Sequence, residues 1–218
     1  MRDQELQLRE GVSALGLVLQ EEQISMLLDY LALIQKWNKV YNLTAVRDAA
    51  EMLTHHLLDS LAVVAPLRRR LVQQGPAPKR LLDVGSGAGL PGVVLAICCP
   101  DLKVDCVDTV AKKAAFIQQV ALALKLPNLR GLHARVESLQ DSYVLISARA
   151  FSSLEDLARL SGAALAPGGC WIAMKGKHPD AELDAVARQG LLFHVEPLQV
   201  PGLDAARCIV WMRPPDQV

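Results

Sequence analysis

The segment LLDVGSGAGLPG, residues 81–92, constrains this chain more than any other. It follows a short apolar run, opens onto a helical pattern, and sets glycines at every second position: Gly85, Gly87 and Gly89. Glycines so spaced let the backbone turn sharply and come close to a ligand with no Cβ in the way. The segment therefore predicts a strand, a ligand-binding turn and a helix, the opening unit of an α/β sheet. Strand-like runs follow at residues 80–84, 103–107, 129–133, 143–148 and 170–174. Between the first three, Leu90, Val93, Val94 and Ile97, then Phe116, Ile117, Val120, Ala121 and Leu124, sit at helical spacing. That alternation predicts a doubly wound, mostly parallel sheet covered on both faces, a Rossmann-like α/β fold. The tail departs from it. Residues 191–200 and 207–212 are two strand-like runs with no helix between, which predicts an antiparallel pair at the carboxyl-terminal sheet edge.

Ahead of residue 75 the pattern is helical. Ile24, Leu27, Leu28, Leu31 and Ile34 form one buried face, and a second helix over about residues 49–71 carries Leu53, Leu57, Leu61 and Val64 on one side before the basic run Arg68, Arg69, Arg70. WNKVYNLTAVRD, residues 37–48, is expected to be a polar loop whose Asn38, Lys39, Asn42 and Arg47 offer donors to phosphates or a base. The segment QQGPAP, residues 73–78, disfavours a continuing helix, so a helical extension over 1–75 and an α/β domain over 76–218 are expected.

The 218 residues are 51% apolar, enough for a substantial core, and 23 basic against 23 acidic side chains leave no net charge. That balance argues against retention on nucleic acid by bulk charge but says nothing of a local basic face. Aromatics at 4% argue against an immunoglobulin-like sandwich or a binder built on stacking platforms. The five cysteines are odd in number, Cys98 and Cys99 are adjacent, and no Cys/His ligand spacing occurs, so reduced thiols and no metal are expected. The polar start MRDQELQLRE and the lack of an apolar run near ~20 residues point to a soluble cytoplasmic protein with no membrane contact.

Two cofactors compete for the loop. Gly85-x-Gly87-x-Gly89 with Asp83 two residues earlier suits S-adenosylmethionine, whose ammonium a strand-end carboxylate can accept from. Gly87-x-Gly89-x-x-Gly92 fits a dinucleotide whose pyrophosphate sits on the helix amino terminus. Asp108, ending the next strand, serves either, since both offer a ribose diol. Asp83 favours the methyl donor, because a carboxylate repels a pyrophosphate and attracts an ammonium.

Taken in order, WNKVYNLTAVRD, HHLLDS (residues 55–60), LLDVGSGAGLPG, Val107-Asp108, Arg135-Val136-Glu137, SARAF (residues 147–151), Met174-Lys175-Gly176 and the Arg207 strand resemble the small-subunit ribosomal RNA (guanine-N7)-methyltransferases, or glucose-inhibited division protein B family. The resemblance covers about residues 20–212. It implies a class I methyltransferase fold, S-adenosylmethionine as donor, a guanine in a 16S rRNA loop near the decoding centre as acceptor, and a monomer. Donor contacts are expected from Asp83, Gly85, Ser86, Gly87, Gly89, Leu90 and Asp108, with adenine over Ala134, Arg135, Val136 and Glu137, read by backbone amides. The resemblance also places Arg135, Arg149 and Arg207 near the pocket mouth. Arg149, just past a strand carboxyl end, is the candidate catalytic residue and a donor contact. Asn38, Lys39, Asn42, Arg47, His56, Lys175 and Arg207 are the substrate-side candidates, with His56 also expected to pair with Asp59 three residues on. Guanine N7 carries no hydrogen, so no general base is expected, only alignment and desolvation.

Overall fold

The computed structural model describes residues 2–73, 75 and 79–215, and of Ala49 and Ala50 the backbone alone. The helical extension comprises α1 (Arg2–Ala14), α2 (Glu21–Tyr41), α3 (Ala49–Met52), a π-helical turn (Leu53–Leu58), α4 (Asp59–Leu61) and α5 (Val64–Gln73). The expected helix over 49–71 is therefore interrupted twice, by the π turn and by a break at residues 62–63. The expected linker lies largely outside the described residues. Helix α2 begins with a capping box in which the Gln20 N–H donates to Gln23 Oε1 at 3.0 Å, and it ends at Asn42 in the left-handed region, φ 50°. It runs further than the loop expected from Trp37, because Trp37 packs on Phe116 at 5.3 Å between ring centroids and prolongs the buried face of Ile24, Leu27, Leu31 and Ile34.

The α/β part follows as β1 (Lys79–Val84), α6 (Gly92–Cys98), β2 (Leu102–Asp108), α7 (Ala111–Ala123), β3 (Leu129–His133), β4 (Tyr143–Arg149), α8 (Leu154–Ser161), β5 (Leu165–Lys175), α9 (Asp180–Arg188), β6 (Leu192–Leu198) and β7 (Arg207–Arg213). The seven strands lie in the order β3-β2-β1-β4-β5-β7-β6. β1 to β5 are parallel, while β7 runs antiparallel to both β5 and β6, as the tail suggested. The continuous apolar runs arise because both faces are buried. Leu81, Leu145, Ile172 and Ile209 point to one apolar cluster and Leu82, Ile146, Trp171 and Val210 to another. The first cluster also holds Leu8, Leu31, Leu57 and Leu61 from the extension, so these helices share a core with one face of the sheet. All five cysteines are buried and unpaired, and no described helix is long and apolar enough to cross a membrane.

Strand order reverses between β1 and β4, whose carboxyl ends therefore flank a crevice that no crossover helix covers. The glycine turn leaves β1 there, and the Arg149–Phe151 segment leaves β4.

Candidate functional site

The glycine turn is pinned from below by two acids. Asp83, wholly buried, accepts from the Gly92 N–H with Oδ2 at 3.0 Å and from the Ser147 hydroxyl with Oδ1 at 2.8 Å. Asp108, also buried, accepts from the Gly87 N–H at 3.0 Å and the Val110 N–H at 2.9 Å, with Lys113 Nζ 3.7 Å away. Gly85, Gly87 and Gly89 have φ of 64°, 59° and 89°, a region that L side chains rarely enter. A Cβ at Gly92 would lie 2.4 Å from Cys106 Sγ and 2.9 Å from Asp83 Oδ2, so this glycine is what lets the carboxylate reach the helix start. Burial pushes the Asp83 carboxyl up to about 6, against the opposing pull of its Ser147 and Gly92 bonds.

This arrangement corrects the simplest picture of Asp83. Its carboxylate presents no free oxygen to an ammonium; it holds the turn and acts on the crevice through its field. The same bond removes the Gly92 N–H from any pyrophosphate, which tells against the dinucleotide register. Asp108, expected on a ribose, is likewise turned onto backbone amides. Ser86 Oγ is buried with no hydrogen bond and only the weakly bonding Cys106 thiol beside it. Three glycines held left-handed, an orphaned hydroxyl and a buried acid beneath make a cradle that suits a small cationic ligand. Leu90 turns its side chain into the core and offers only backbone. Pro91 caps α6 after a cis peptide bond.

On β3's side, the Ala134 N–H already donates to the Asp108 carbonyl at 3.3 Å, so it is not free to read an adenine edge. Val136 is buried, and the exposed Arg135 pairs with Glu137 at 3.2 Å beyond the crevice floor.

Opposite the turn, charges from three distant segments meet. Asp59 accepts from Arg149 Nη1 at 3.1 Å and from Arg207 Nε at 2.9 Å, and Arg149 Nη1 also donates to the His55 carbonyl at 2.9 Å. Asp59 stands at the end of the π turn, where its own N–H reaches the carbonyls of both His56 and Thr54. The expected His56–Asp59 pair does not form, because the residue inserted by the π turn rotates the two apart. His56 instead bonds Thr44 Oγ1 through Nε2 at 2.8 Å, while its Nδ1 is buried without a partner. Burial, helped by the Arg149 charge, holds His56 down at about 4.

The other substrate-side candidates divide. Asn38 is not a free donor: its amide donates to the Val46 carbonyl at 3.2 Å and accepts from the Thr44 N–H at 2.9 Å, closing the 42–48 loop on itself. Asn42 serves as the left-handed cap of α2. Lys39 is exposed in the last turn of α2 and Arg47 on that loop. Lys175, another of these candidates, is taken up by Glu182 at 2.8 and 3.0 Å.

Two aromatic residues missing from the expected set shape the crevice. The Phe151 ring would lie 3.5 Å from a Cβ at Gly85, so it stands over the turn. It is set there by Ala150 at φ 56°. Tyr30, fully buried in α2, donates to the Ala88 carbonyl at 2.6 Å and ties the extension to the loop.

Fold and loop together define a class I methyltransferase, the group that uses S-adenosylmethionine. Among solved structures the chain is similar to the ribosomal protein L11 methylase of Lactobacillus delbrueckii subsp. bulgaricus (TM-score 0.57, 14% identity, 72% of this chain and 79% of that one). It is also similar to a methyltransferase of Geobacter sulfurreducens in complex with S-adenosyl-L-homocysteine (TM-score 0.54, 12% identity, 72% and 90%). At these identities the likeness concerns the fold. The chain belongs to the rRNA small subunit methyltransferase G family, whose model matches residues 23–210. Relatives called ribosomal RNA small subunit methyltransferase G include that of Albidiferax ferrireducens, 66% identical over 98% of both chains, and that of an Acidovorax species, 64% identical over 95% of this chain and 94% of that one.

Proposed function

We propose that this small-subunit rRNA methyltransferase places the methyl group on N7 of a guanine in a 16S rRNA loop near the decoding centre, acting as a monomer and without a general base. The observation that carries the reading is the crevice itself, with a positive-φ glycine turn over buried Asp83 on one wall and a pair of fixed arginines on the other. Bound there, S-adenosylmethionine supplies an electrophilic methyl on a sulfonium. The N7 lone pair forms the new N–C bond as the S–C electron pair returns to sulfur, and no proton leaves. What remains for the protein is alignment and exclusion of water.

Each residue then has a task. Gly85, Ser86, Gly87 and Gly89 admit the donor close to backbone, with Leu90 contributing main chain only. Asp83 supplies a negative field beneath the donor's ammonium while fixing the turn to α6. Asp108 holds Gly87 and lies at the edge expected for the ribose; Val136 and Glu137 border the adenine. Phe151 offers a ring face against which the target guanine stacks. Arginine commonly grips guanine through O6 and N7 together, which would block the nucleophile. Arg149 and Arg207 avoid this because Asp59 fixes part of each guanidinium, and the donors left over, of five per side chain, face phosphate or O6 alone. Lys39 and Arg47 extend the phosphate contacts along the loop beside them.

Incubating ribosomal RNA from cells lacking this protein with enzyme and donor, then cleaving at 7-methylguanosine by borohydride and aniline, tests the reading. One scission at a single 16S guanine is expected. Methyl incorporation with no scission would place the group on another atom and end the N7 assignment.

A further inference from the structure

Helix α2 ends in an exposed ring that the methyl-transfer geometry does not use. Ile34, Trp37 and Tyr41 lie on one stripe of α2, spaced by three and four residues. Ile34 is buried, Trp37 is half-buried, and Tyr41, where the stripe runs past the body of the protein, leaves 40% of its surface open. Among the described residues the only other exposed aromatic is Phe193, on the outermost strand β6. The Tyr41 ring is not loose. Its centroid is 5.1 Å from that of Trp37, and Trp37 in turn is 5.3 Å from the buried Phe116, so a row of three rings holds it. A ring fixed in advance loses little freedom when a ligand stacks on its open face.

The helices around this ring carry charge of one sign. The start of α2 lies by the end of α7, since Gln23 donates to the Ile97 carbonyl at 2.8 Å and Asn128, just past α7, donates to the neighbouring Ala96 carbonyl at 3.0 Å. The two helices therefore run antiparallel. One turn beyond the Trp37–Phe116 contact, α2 presents Tyr41 and α7 presents Lys112. Lys112 is exposed and has no ion pair among the described residues. Helix α7 holds two lysines and no acid, and so do the last two turns of α2, QKWNKVY. Asp48, the first acid of the loop that follows, is turned onto the Glu51 N–H at 3.0 Å. The site also borders the crevice: α7 opens three residues after Asp108, and the loop after Tyr41 bonds His56 through Thr44 at 2.8 Å. A ring with one open face takes the flat side of a base and the cation its phosphate, whereas an acidic peptide would meet the lysines alone.

We propose that Tyr41 is a stacking platform for one base of the rRNA strand flanking the target nucleotide, with Lys112 on the phosphate of that same nucleotide. The proposal deepens the rRNA reading and rests on it. It gives an uncharged protein a local foothold on its substrate and assigns Tyr41 no part in the methyl transfer itself. Loss of the ring therefore acts on substrate affinity and leaves turnover alone.

The test follows methylation of small ribosomal subunits from cells lacking this protein, counting methyl groups on 16S rRNA at whatever atom they land. Tyr41→Ala should raise the KM for subunits about tenfold, with kcat and donor affinity unchanged. Tyr41→Phe should keep the parent KM, while Tyr41→Leu, which retains apolar bulk without a ring face, should behave as Tyr41→Ala does; a packing role would let leucine serve as well as phenylalanine. Lys112→Gln should raise KM about threefold and take about one ion from its salt dependence. Benzoylphenylalanine in place of Tyr41 should crosslink to 16S rRNA. The proposal falls if Tyr41→Ala leaves KM alone, if Tyr41→Leu matches Tyr41→Phe, or if the crosslink goes to a ribosomal protein and not to rRNA. Crosslinking needs no turnover, and 7-methylguanosine mapping is scored separately. Methylation without scission ends the N7 reading alone, and scission with an unchanged KM in Tyr41→Ala ends this one alone.

Discussion

The two walls of the crevice hold their charges in opposite ways. On the donor wall, Asp83 and Asp108 are both buried and their oxygens are spent on backbone amides and a serine, with partners at most 64 residues away and mostly within 21. On the acceptor wall, Asp59 is buried too, but it binds two guanidinium groups that lie 90 and 148 residues further along the chain. The first arrangement shapes backbone around a small ligand. The second joins the helical extension to the ends of β4 and β7, so the positions of its cations depend on the whole tertiary fold. Donor binding and RNA binding should therefore fail separately.

The largest effect is expected from Asp59→Ala. Removing the acid leaves two partly buried arginines facing each other without a counter-charge, which typically costs about 3–5 kcal/mol. A fall in the melting temperature of about 10 °C and loss of rRNA methylation should follow. Donor affinity of the protein that stays folded should be retained, since the glycine turn is untouched. A variant that loses donor binding and RNA activity together would merge the two walls into one unit.

Next comes the pH dependence of the acceptor wall. His56 is held at about 4 against an ordinary value near 6.5, chiefly by burial, so the folded state prefers the neutral ring. Stability present above the ordinary value is lost as pH falls through that window, by roughly 3 kcal/mol for a shift of this size. Denaturant unfolding at pH 7 and pH 4.5 should show that loss, and His56→Gln should reduce it. An unchanged slope in the variant would place the acid sensitivity elsewhere.

Gly92→Ala sharpens the donor wall in the same way. The new methyl meets Cys106 Sγ and the Asp83 carboxylate, an overpacking worth about 1–3 kcal/mol, and should lift Asp83 off the helix start. Weaker donor binding with an unchanged Kd for a short RNA is expected from calorimetry. Phe151→Ala should be the mildest: its ring covers Gly85 and packs only partly on the second apolar cluster, so stability should fall by about 1 kcal/mol while the KM for rRNA rises.

This asymmetry also decided what could be read from the chain alone. The strands, the sheet edge formed by β6 and β7, and the glycine turn follow from patterns no longer than a dozen residues, and residues 79–84, 102–108, 129–133 and 143–149 fell where the spacing put them. The Asp59–Arg149–Arg207 cluster left no such trace, because nothing local distinguishes a cation that meets a distant acid from one in water. The π turn defeated the helical reading directly: with one residue added, positions three apart no longer share a face, so His56 turned to Thr44 and Asp59 to the sheet. Asn38 and Lys175 looked like free donors because their partners, Thr44 with Val46 and Glu182, become visible only once the chain has turned back. Phe151 and Tyr30 were single aromatics in otherwise unremarkable surroundings, and only the approach of Gly85 and Ala88 gives them a task.

The most direct test of the donor wall is the affinity for S-adenosylmethionine across pH 5 to 8. Burial raises the Asp83 carboxyl to about 6, so the folded protein prefers it protonated, and its negative field appears only as pH rises through that value. Calorimetry should show affinity increasing about tenfold with a midpoint near 6, and a flat, weak profile in Asp83→Asn. A wild-type profile without that rise, or an Asp83→Asn protein that binds the donor as tightly as the parent at pH 8, would contradict the account.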